Sequence, residues 1–408
     1  WNPSKDGYLK PRIEIVPVDL LGTTVTFATA FNAKYIVDNT VGALCNEKKK
    51  ELSIIEIENE IIENSRTAKG KLTKKAESLL QKLNEYRDYL KSLKILDPAC
   101  GSGAFLNQAL EFLINEQEQI DSYRRELEQD SLGLYDITKS ILENNLYGVD
   151  INEEAVEIAK LSLWIRTAER GRKLSDLSSN IKCGNSLIDD PAVAGAKAFN
   201  WVKEFPQVFK TTSPSIPLLA KEREAKGEVE IVDGGFDVVI GNPPYVRAES
   251  ILHIKPFLSK NYSAYNGNAD LYIYFYEKSV RLLKSNGSLG LITPNKWIQS
   301  NYGKELRSLL SNYVIRRIID FGELEIFEDV GTFPTIVILQ KSSFDFSIEY
   351  SQINSIVNAR AINETTNNFK LVSSKTLNSN NWLLSDFINT ELILKLEKNH
   401  PNLGKHFD

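Results

Sequence analysis

From Lys94 onward the chain alternates short apolar runs with helical stretches, and this rhythm most narrows the folds open to it. Seven runs fall at 93–97, 146–150, 181–184, 236–240, 288–293, 314–321 and 334–340. Each is too short and too β-branched for a buried helix, and most pairs are separated by enough chain for a crossover helix. Such a pattern predicts an α/β fold: a seven-stranded, mostly parallel sheet with helices on both faces. In sheets of this kind ligands bind beyond the carboxyl ends of the strands, so the residues just after each run are where chemistry is sought.

The remaining chain is assigned by contrast. Residues 1–93 read as an N-terminal helical region, with one helix near 30–44 and two more in the Glu-, Lys- and Leu-rich stretch 51–93, divided at 65–70. A catalytic unit is expected over 94–345, interrupted by irregular insertions at 191–235 and 246–269. Residues 115–145 form a charged helical insertion between the first two strands. Residues 346–408, with a helix at 384–398, are expected to connect to a further domain outside this chain. The chain starts at Trp1 and has no methionine among its 408 residues, so motif spacings are read with a tolerance of a residue.

No apolar run is long enough to span a bilayer and no signal peptide opens the sequence, which predicts a cytoplasmic protein. Three widely spaced cysteines, Cys45, Cys100 and Cys183, fit reduced thiols, and the three histidines lie apart from carboxylates, so no metal site is expected. The net charge of −5 argues against wholesale nucleic-acid coating and leaves room for a local basic cleft.

Four strand ends carry polar constellations. Asp97-Pro98-Ala99-Cys100-Gly101-Ser102-Gly103 follows the first strand and opens a helix whose free N–H groups face a ligand. A carboxylate at Asp97 would repel a pyrophosphate, yet suits the ammonium of an amino-acid-bearing cofactor, which favours S-adenosylmethionine over NAD. Asp150, followed by Ile151, ends the second strand, where an acid can accept hydrogen bonds from ribose hydroxyls. Asn185, Ser186 and Leu187 follow the third; Asn185 is placed to bond an adenine amine and Leu187 to pack on the ring, with an ordinary turn as the equal alternative.

The fourth strand end, Asn242-Pro243-Pro244-Tyr245, has the most specific chemistry. Two prolines fix φ and remove two donors, so the segment belongs neither to a helix interior nor to a central strand. An aromatic amine is a poor nucleophile because its lone pair is delocalised. If the Asn242 side-chain oxygen and the Pro243 carbonyl each accept one N–H, the nitrogen pyramidalises and its lone pair turns outward, toward a methyl donor. Tyr245 would stack on the ring. Taken alone, this segment does not separate adenine, cytosine and glutamine.

In this order, the segments starting at Asp97, Tyr147-Gly148-Val149-Asp150, Gly184-Asn185-Ser186-Leu187 and Asn242–Tyr245 resemble the gamma-type DNA adenine-N6 methyltransferases. The similarity is to the Taq-type enzymes and to the methyltransferase portion of Type IIG restriction-modification and phage-exclusion proteins, over roughly 94–341. It implies a Rossmann-like class I S-adenosylmethionine-dependent fold. It further implies cofactor contacts from Asp97, Ala99, Gly101, Gly103, Asp150, Ile151, Asn185, Ser186, Leu187 and Asn242. Catalysis would fall to Asn242, Pro243, Pro244 and Tyr245, with Phe327 (or Phe333) packing on the target base from a hairpin. The Tyr-Thr-Pro-like segment that usually precedes the family's first helix is not evident around 24–36.

A duplex hides the adenine amine, so the resemblance implies double-stranded DNA as partner and base flipping as the means of access. Arg247, Lys255, Tyr262 and Tyr265 interleave cations and aromatics after the catalytic loop and are expected to form the DNA-facing lip. A specificity domain and any nuclease would lie outside this chain; the Glu224–Lys226 spacing reads as surface charge. Two other functions compete: methylation of a protein glutamine N5 amide, which uses the same planar grip, and a non-catalytic cofactor-binding role in a defence complex.

Overall fold

In the computed structural model, residues 27–54, 64–128, 134–167, 175–210, 233–322, 333–342, 347–353 and 369–373 are described, together with Leu324, Leu377, Trp382 and Leu384. Phe327, the loop 211–217, the Glu224–Lys226 pair, the first of the two helices expected in 51–93 and the helix expected at 384–398 lie outside the described residues.

Nine strands form one sheet: β1 (Ile95–Asp97), β2 (Leu146–Asp150), β3 (Ile181–Cys183), β4 (Phe236–Gly241), β5 (Leu283–Pro294), β6 (Val314–Asp320), β7 (Pro334–Gln340), β8 (Ser347–Gln352) and β9 (Lys370–Ser373). Their order is β3-β2-β1-β4-β5-β7-β6-β8-β9. β1 to β5 are mutually parallel, β7 runs antiparallel between β5 and β6, and β8 returns parallel to β6. The strand order reverses between β1 and β4, in a mostly parallel sheet of the kind expected. All seven expected strands are present. The expectation of seven strands is corrected to nine among the described residues: β8 and β9 extend the sheet past residue 345, into the stretch read as a connector.

Strand residues alternate between two cores, as the two-residue period of a pleated sheet requires. Val238, Ile240, Ile336 and Ile338 face one core, while Val239, Leu291, Val337 and Leu339 face the other. On the first face lie α1 (Phe27–Leu52), α2 (Lys74–Ser92), α3 (Ala104–Glu128), α4 (Leu134–Asn144) and α5 (Glu153–Thr167). On the second lie α6 (Lys255–Asn261), α7 (Leu271–Leu282) and α8 (Lys304–Leu310). The early helices are therefore not a layer apart. α1 buries Ala33, Ile36, Val37, Thr40, Val41 and Cys45, a stripe at helical spacing. Over Gly290 of β5 it comes so close that an added Cβ would sit 2.6 Å from the Ile36 methyl and 2.8 Å from that of Thr40.

Both insertions are more regular than expected. Within 191–235, residues 191–210 form short helical turns that bury Phe199, Trp201, Phe205 and Phe209 around Tyr147 and Phe236. Within 246–269, a 3-10 turn (Ala248–Ile254) runs into α6, whose first turn contains Pro256, where a missing N–H costs nothing. No described helix is long and apolar enough to cross a membrane.

Candidate active site

The carboxyl ends of β1, β2, β3, β4 and β5 open on one edge of the sheet, on both sides of the order reversal. Asp97 closes β1 and is 1% exposed. One carboxylate oxygen accepts the Ala99 N–H at 3.1 Å. Burial, reinforced by the neighbouring Asp150 charge, pushes its pKa up to about 8 against the pull of that N–H. Gly241, at the end of β4, lies against the same carboxylate: a Cβ there would be 2.7 Å from Asp97 Oδ1. The β4 end and the β1 end thus meet without space between them for a side chain.

The loop after β1 is held from the next strand. Asp150 accepts the Gly101 N–H at 2.9 Å and, through its other oxygen, the Asn152 N–H at 2.9 Å. Gly101 has φ +50° and Gly103 φ +86°, both in the region that favours glycine. A Cβ on Gly101 would point into open space, whereas one on Gly103 would press on Ala159 and Ser162 at 3.2–3.3 Å. One glycine faces open space and the other lets the loop pack on α5. Beside Asp150, Ile151 leaves 57% of its surface exposed, an apolar plate next to an acid.

At β3, Asn185 closes a tight turn by accepting the Leu187 N–H at 3.1 Å. The buried Ser186 hydroxyl donates to the Pro98 carbonyl at 2.6 Å, tying the third strand end to the loop after the first. Leu187 is 3% exposed, so it backs the site and offers little surface to a ligand.

Asn242 follows β4, and its Oδ1 is buried without a hydrogen-bond partner among the described residues. A buried carbonyl oxygen left unpaired costs about 1–3 kcal/mol, which an N–H donor supplied by a ligand would recover. Tyr245 donates its hydroxyl to the Ile292 carbonyl at 3.3 Å and meets the Tyr272 ring edge-on at 6.3 Å. Phe333, the alternative target-base aromatic, is half-buried just before β7, and its carbonyl accepts the Asn295 N–H at 2.7 Å.

The residues expected to face DNA separate. Arg247 is exposed and Lys255 reaches the Gly267 carbonyl at 2.6 Å. Tyr265 is half-buried against Tyr274. Tyr262 is not on the lip: it is 5% exposed, and its hydroxyl donates to the Leu187 carbonyl at 2.7 Å inside the core. The i, i+3, i+7 spacing of Ile251, Ile254 and Leu258 turns this segment helical and carries Tyr262 inward.

One further residue escaped the sequence reading. Asn32 in α1 is 1% exposed, and neither its oxygen nor its nitrogen has a partner among the described residues. α1 runs against β5: Thr40 crosses at Gly290, and Glu47 pairs with Arg316 near the start of β6. From Thr40 back to Asn32 is about 12 Å of helix, and from Gly290 on to Pro294 is about 13 Å of strand. Asn32 therefore lies on the part of α1 that extends from Gly290 toward the ligand edge. Its signal was a polar residue on the buried stripe of an otherwise apolar helix face.

Comparison with known proteins matches residues 144–327 to the family described as Eco57I restriction-modification methylase. The chain is 28% identical to the Type II restriction enzyme and methyltransferase RM.Eco57I of Escherichia coli over 75% of its own length and 30% of that protein's. It is 26% identical to the Type II methyltransferase M.BstVI of Geobacillus stearothermophilus over 66% of its length and 41% of that protein's. Among solved structures, a nuclease-deletion mutant of the Type ISP restriction-modification enzyme LlaGI in complex with a DNA substrate mimic aligns with TM-score 0.50 at 18% identity. It covers 72% of this chain and 24% of that one. The chain thus spans well under half the length of these relatives.

Proposed function

We propose, from the match of residues 144–327 to the Eco57I restriction-modification methylase family, that this chain is the catalytic portion of an S-adenosylmethionine-dependent DNA methyltransferase acting on the N6 amine of adenine. The observation that carries this reading is the buried Asn242 oxygen, unpartnered among the described residues, on the residue after Gly241, which itself abuts the Asp97 carboxylate at the end of β1. An acceptor suited to an amine and an acid suited to an ammonium thus sit on adjoining strand ends, as a methyl acceptor and a sulfonium amino-acid donor require.

The residues fit the cofactor in kind. Asp97 would take the amino-acid ammonium, Asp150 the ribose hydroxyls, and Ile151 one face of the cofactor adenine, with the Gly101 backbone close beside it. Asn185 would bond the cofactor's adenine amine, while Ser186 and Leu187 hold that wall in place. Asn32 would offer a donor and an acceptor to the amino-acid end. When bound, S-adenosylmethionine supplies an electrophilic methyl group.

Asn242 Oδ1 and the Pro243 carbonyl would accept the two N–H bonds of the target amine, drawing its lone pair out of the ring. Pro243 and Pro244, lacking N–H groups, offer the amine no competing donor and hold the turn rigid. The ring of Tyr245 is fixed through its hydroxyl to Ile292 and would stack on the flipped base. Phe327 or Phe333 would close the other face. Arg247, Lys255 and Tyr265 would receive the strand. The whole polypeptide would act on duplex DNA within a restriction-modification or defence system.

The test is methyl transfer from tritiated S-adenosylmethionine by the full-length protein. Label in duplex DNA that is lost in Asn242→Ala, with cofactor binding retained, supports the proposal. Label that enters only a release-factor glutamine overturns it, and cofactor binding with no transfer to either substrate points to a non-catalytic role.

A further inference from the structure

We infer that Lys296 is a DNA-backbone contact, acting with Arg247 on phosphates next to the target nucleotide; this rests on the DNA-methylation reading above. Lys296 is the second residue after β5 at the ligand edge, on the 3-10 turn Asn295–Ile298. Its side chain is exposed and makes no hydrogen bond or ion pair among the described residues. The residues on either side are immobilised. Asn295 donates its backbone N–H to the Phe333 carbonyl at 2.7 Å and its amide to Asp320 at 2.9 Å. Trp297 is fully buried against Tyr276 and Trp382.

Arg247 is built the same way from the other side. It is exposed and without a polar partner among the described residues, between two pinned neighbours. The Val246 carbonyl accepts the Leu271 N–H at 2.9 Å, and the Ala248 N–H donates to Asp270 at 2.9 Å. Tyr245, two residues before Arg247, donates its hydroxyl to the carbonyl of Ile292, four residues before Lys296, so the two cations stand on adjoining segments beside Asn242–Tyr245. Acidic groups near this cluster include Asp270, Glu249 and Asp320, the last bonded to the Asn295 amide. Asp270 is turned inward as a backbone acceptor, and Glu249 is exposed on the following turn.

Two cations on rigid backbone, with free heads on the edge where the base must enter, suit a phosphate oxygen on each side of a flipped nucleotide. The acidic pair Asp97 and Asp150 lies on the cofactor side, so cation and anion subsites are segregated within one cleft. A long cation with a fixed base can follow a bent backbone while the base-gripping loop stays rigid.

Binding of the full-length protein to a randomised-sequence duplex, measured by anisotropy from about 50 to 200 mM salt, tests this. Lys296→Gln should weaken binding several-fold and make the log–log salt slope shallower by about 0.9, the loss of one phosphate contact. Lys296→Arg should restore both, and cofactor affinity should not change in either variant. A Lys296→Gln protein with wild-type affinity and slope, in an enzyme that methylates DNA, makes Lys296 a solvated surface residue and overturns the inference. A wild-type protein that binds no DNA overturns the methylation reading itself, and this assignment with it.

Discussion

Replacing Asp97 by Asn should stabilise the free protein while disabling it. The carboxyl is 1% exposed and accepts a single N–H, and its pKa is pushed up to about 8 by burial and by Asp150. With the folded-state value above the unfolded one, the native chain holds an extra proton between about pH 4 and 8. Stability therefore falls as pH rises through that window and levels off above it. At about 1.4 kcal/mol per pH unit, ionised Asp97 costs the free fold on the order of 5 kcal/mol. Asparagine keeps the shape, and its oxygen still accepts the Ala99 N–H. Asp97→Asn should thus gain several kcal/mol over wild type near pH 8.5, and little near pH 4, in urea denaturation.

Ligand binding should run the opposite way. An ammonium-bearing ligand favours the ionised carboxyl, so wild-type affinity for S-adenosylmethionine should rise up to tenfold per pH unit toward pH 8. It should then turn over as the ligand's own amine loses its proton near the same value. Asp97→Asn should bind at least ~100-fold more weakly and lose the slope, if a charge-assisted contact of about 3 kcal/mol is removed. Titration calorimetry across that range decides the matter. A variant no more stable than wild type at pH 8.5, or wild-type affinity flat between about pH 6 and 8, would refute the reasoning.

Asn32→Leu removes two unpartnered buried polar atoms, so thermal stability should hold or rise while cofactor affinity drops about tenfold or more, read by melting and calorimetry. Tyr262→Phe should leave the salt slope of DNA binding unchanged. It should cost about 1–3 kcal/mol in urea denaturation, because the Leu187 carbonyl loses its buried donor. Gly290→Val would drive a side chain into Ile36 and Thr40, and should lower stability by about 1–3 kcal/mol or expel α1 from the sheet, visible as faster proteolysis before Ala33.

The central strands were legible because their apolar runs are short, buried and bounded by polar strand ends. β8 and β9 were not, since the apolar residues that Ser347–Gln352 buries are Ile348 and Tyr350 among polar neighbours, and its partner β9 lies well along the chain. The segment 246–269 was read as irregular because a proline and several polar residues obscured the helical spacing of Ile251, Ile254 and Leu258. The polar strand-end residues could be located because each follows a strand. Their partners could not be foreseen: the Ser186 bond to Pro98 spans 88 residues and the Tyr262 bond to Leu187 spans 75. Asn32 looked like any polar residue in a helix until its surroundings were known.

The crossing of α1 over β5 has a consequence for how the molecule comes into being. Tyr35 and Asn39 receive the Arg317 guanidinium across 282 and 278 residues, and Ile36 packs at Gly290. α1 can meet α3 early, through Gly42 at Phe112 and Lys49 at Glu116, but the sheet side of its seat is missing until β5, β6 and β7 have left the ribosome. Contacts of such separation are slow to form, because the loop entropy is lost before they contribute. Until then the part of its apolar stripe that faces the sheet waits uncovered, a surface for chaperones or for misassembly. The segment bearing Asn32 would join the ligand edge in that same late docking, so a truncated nascent chain would carry Asp97, Asp150 and Asn242 yet lack a finished pocket.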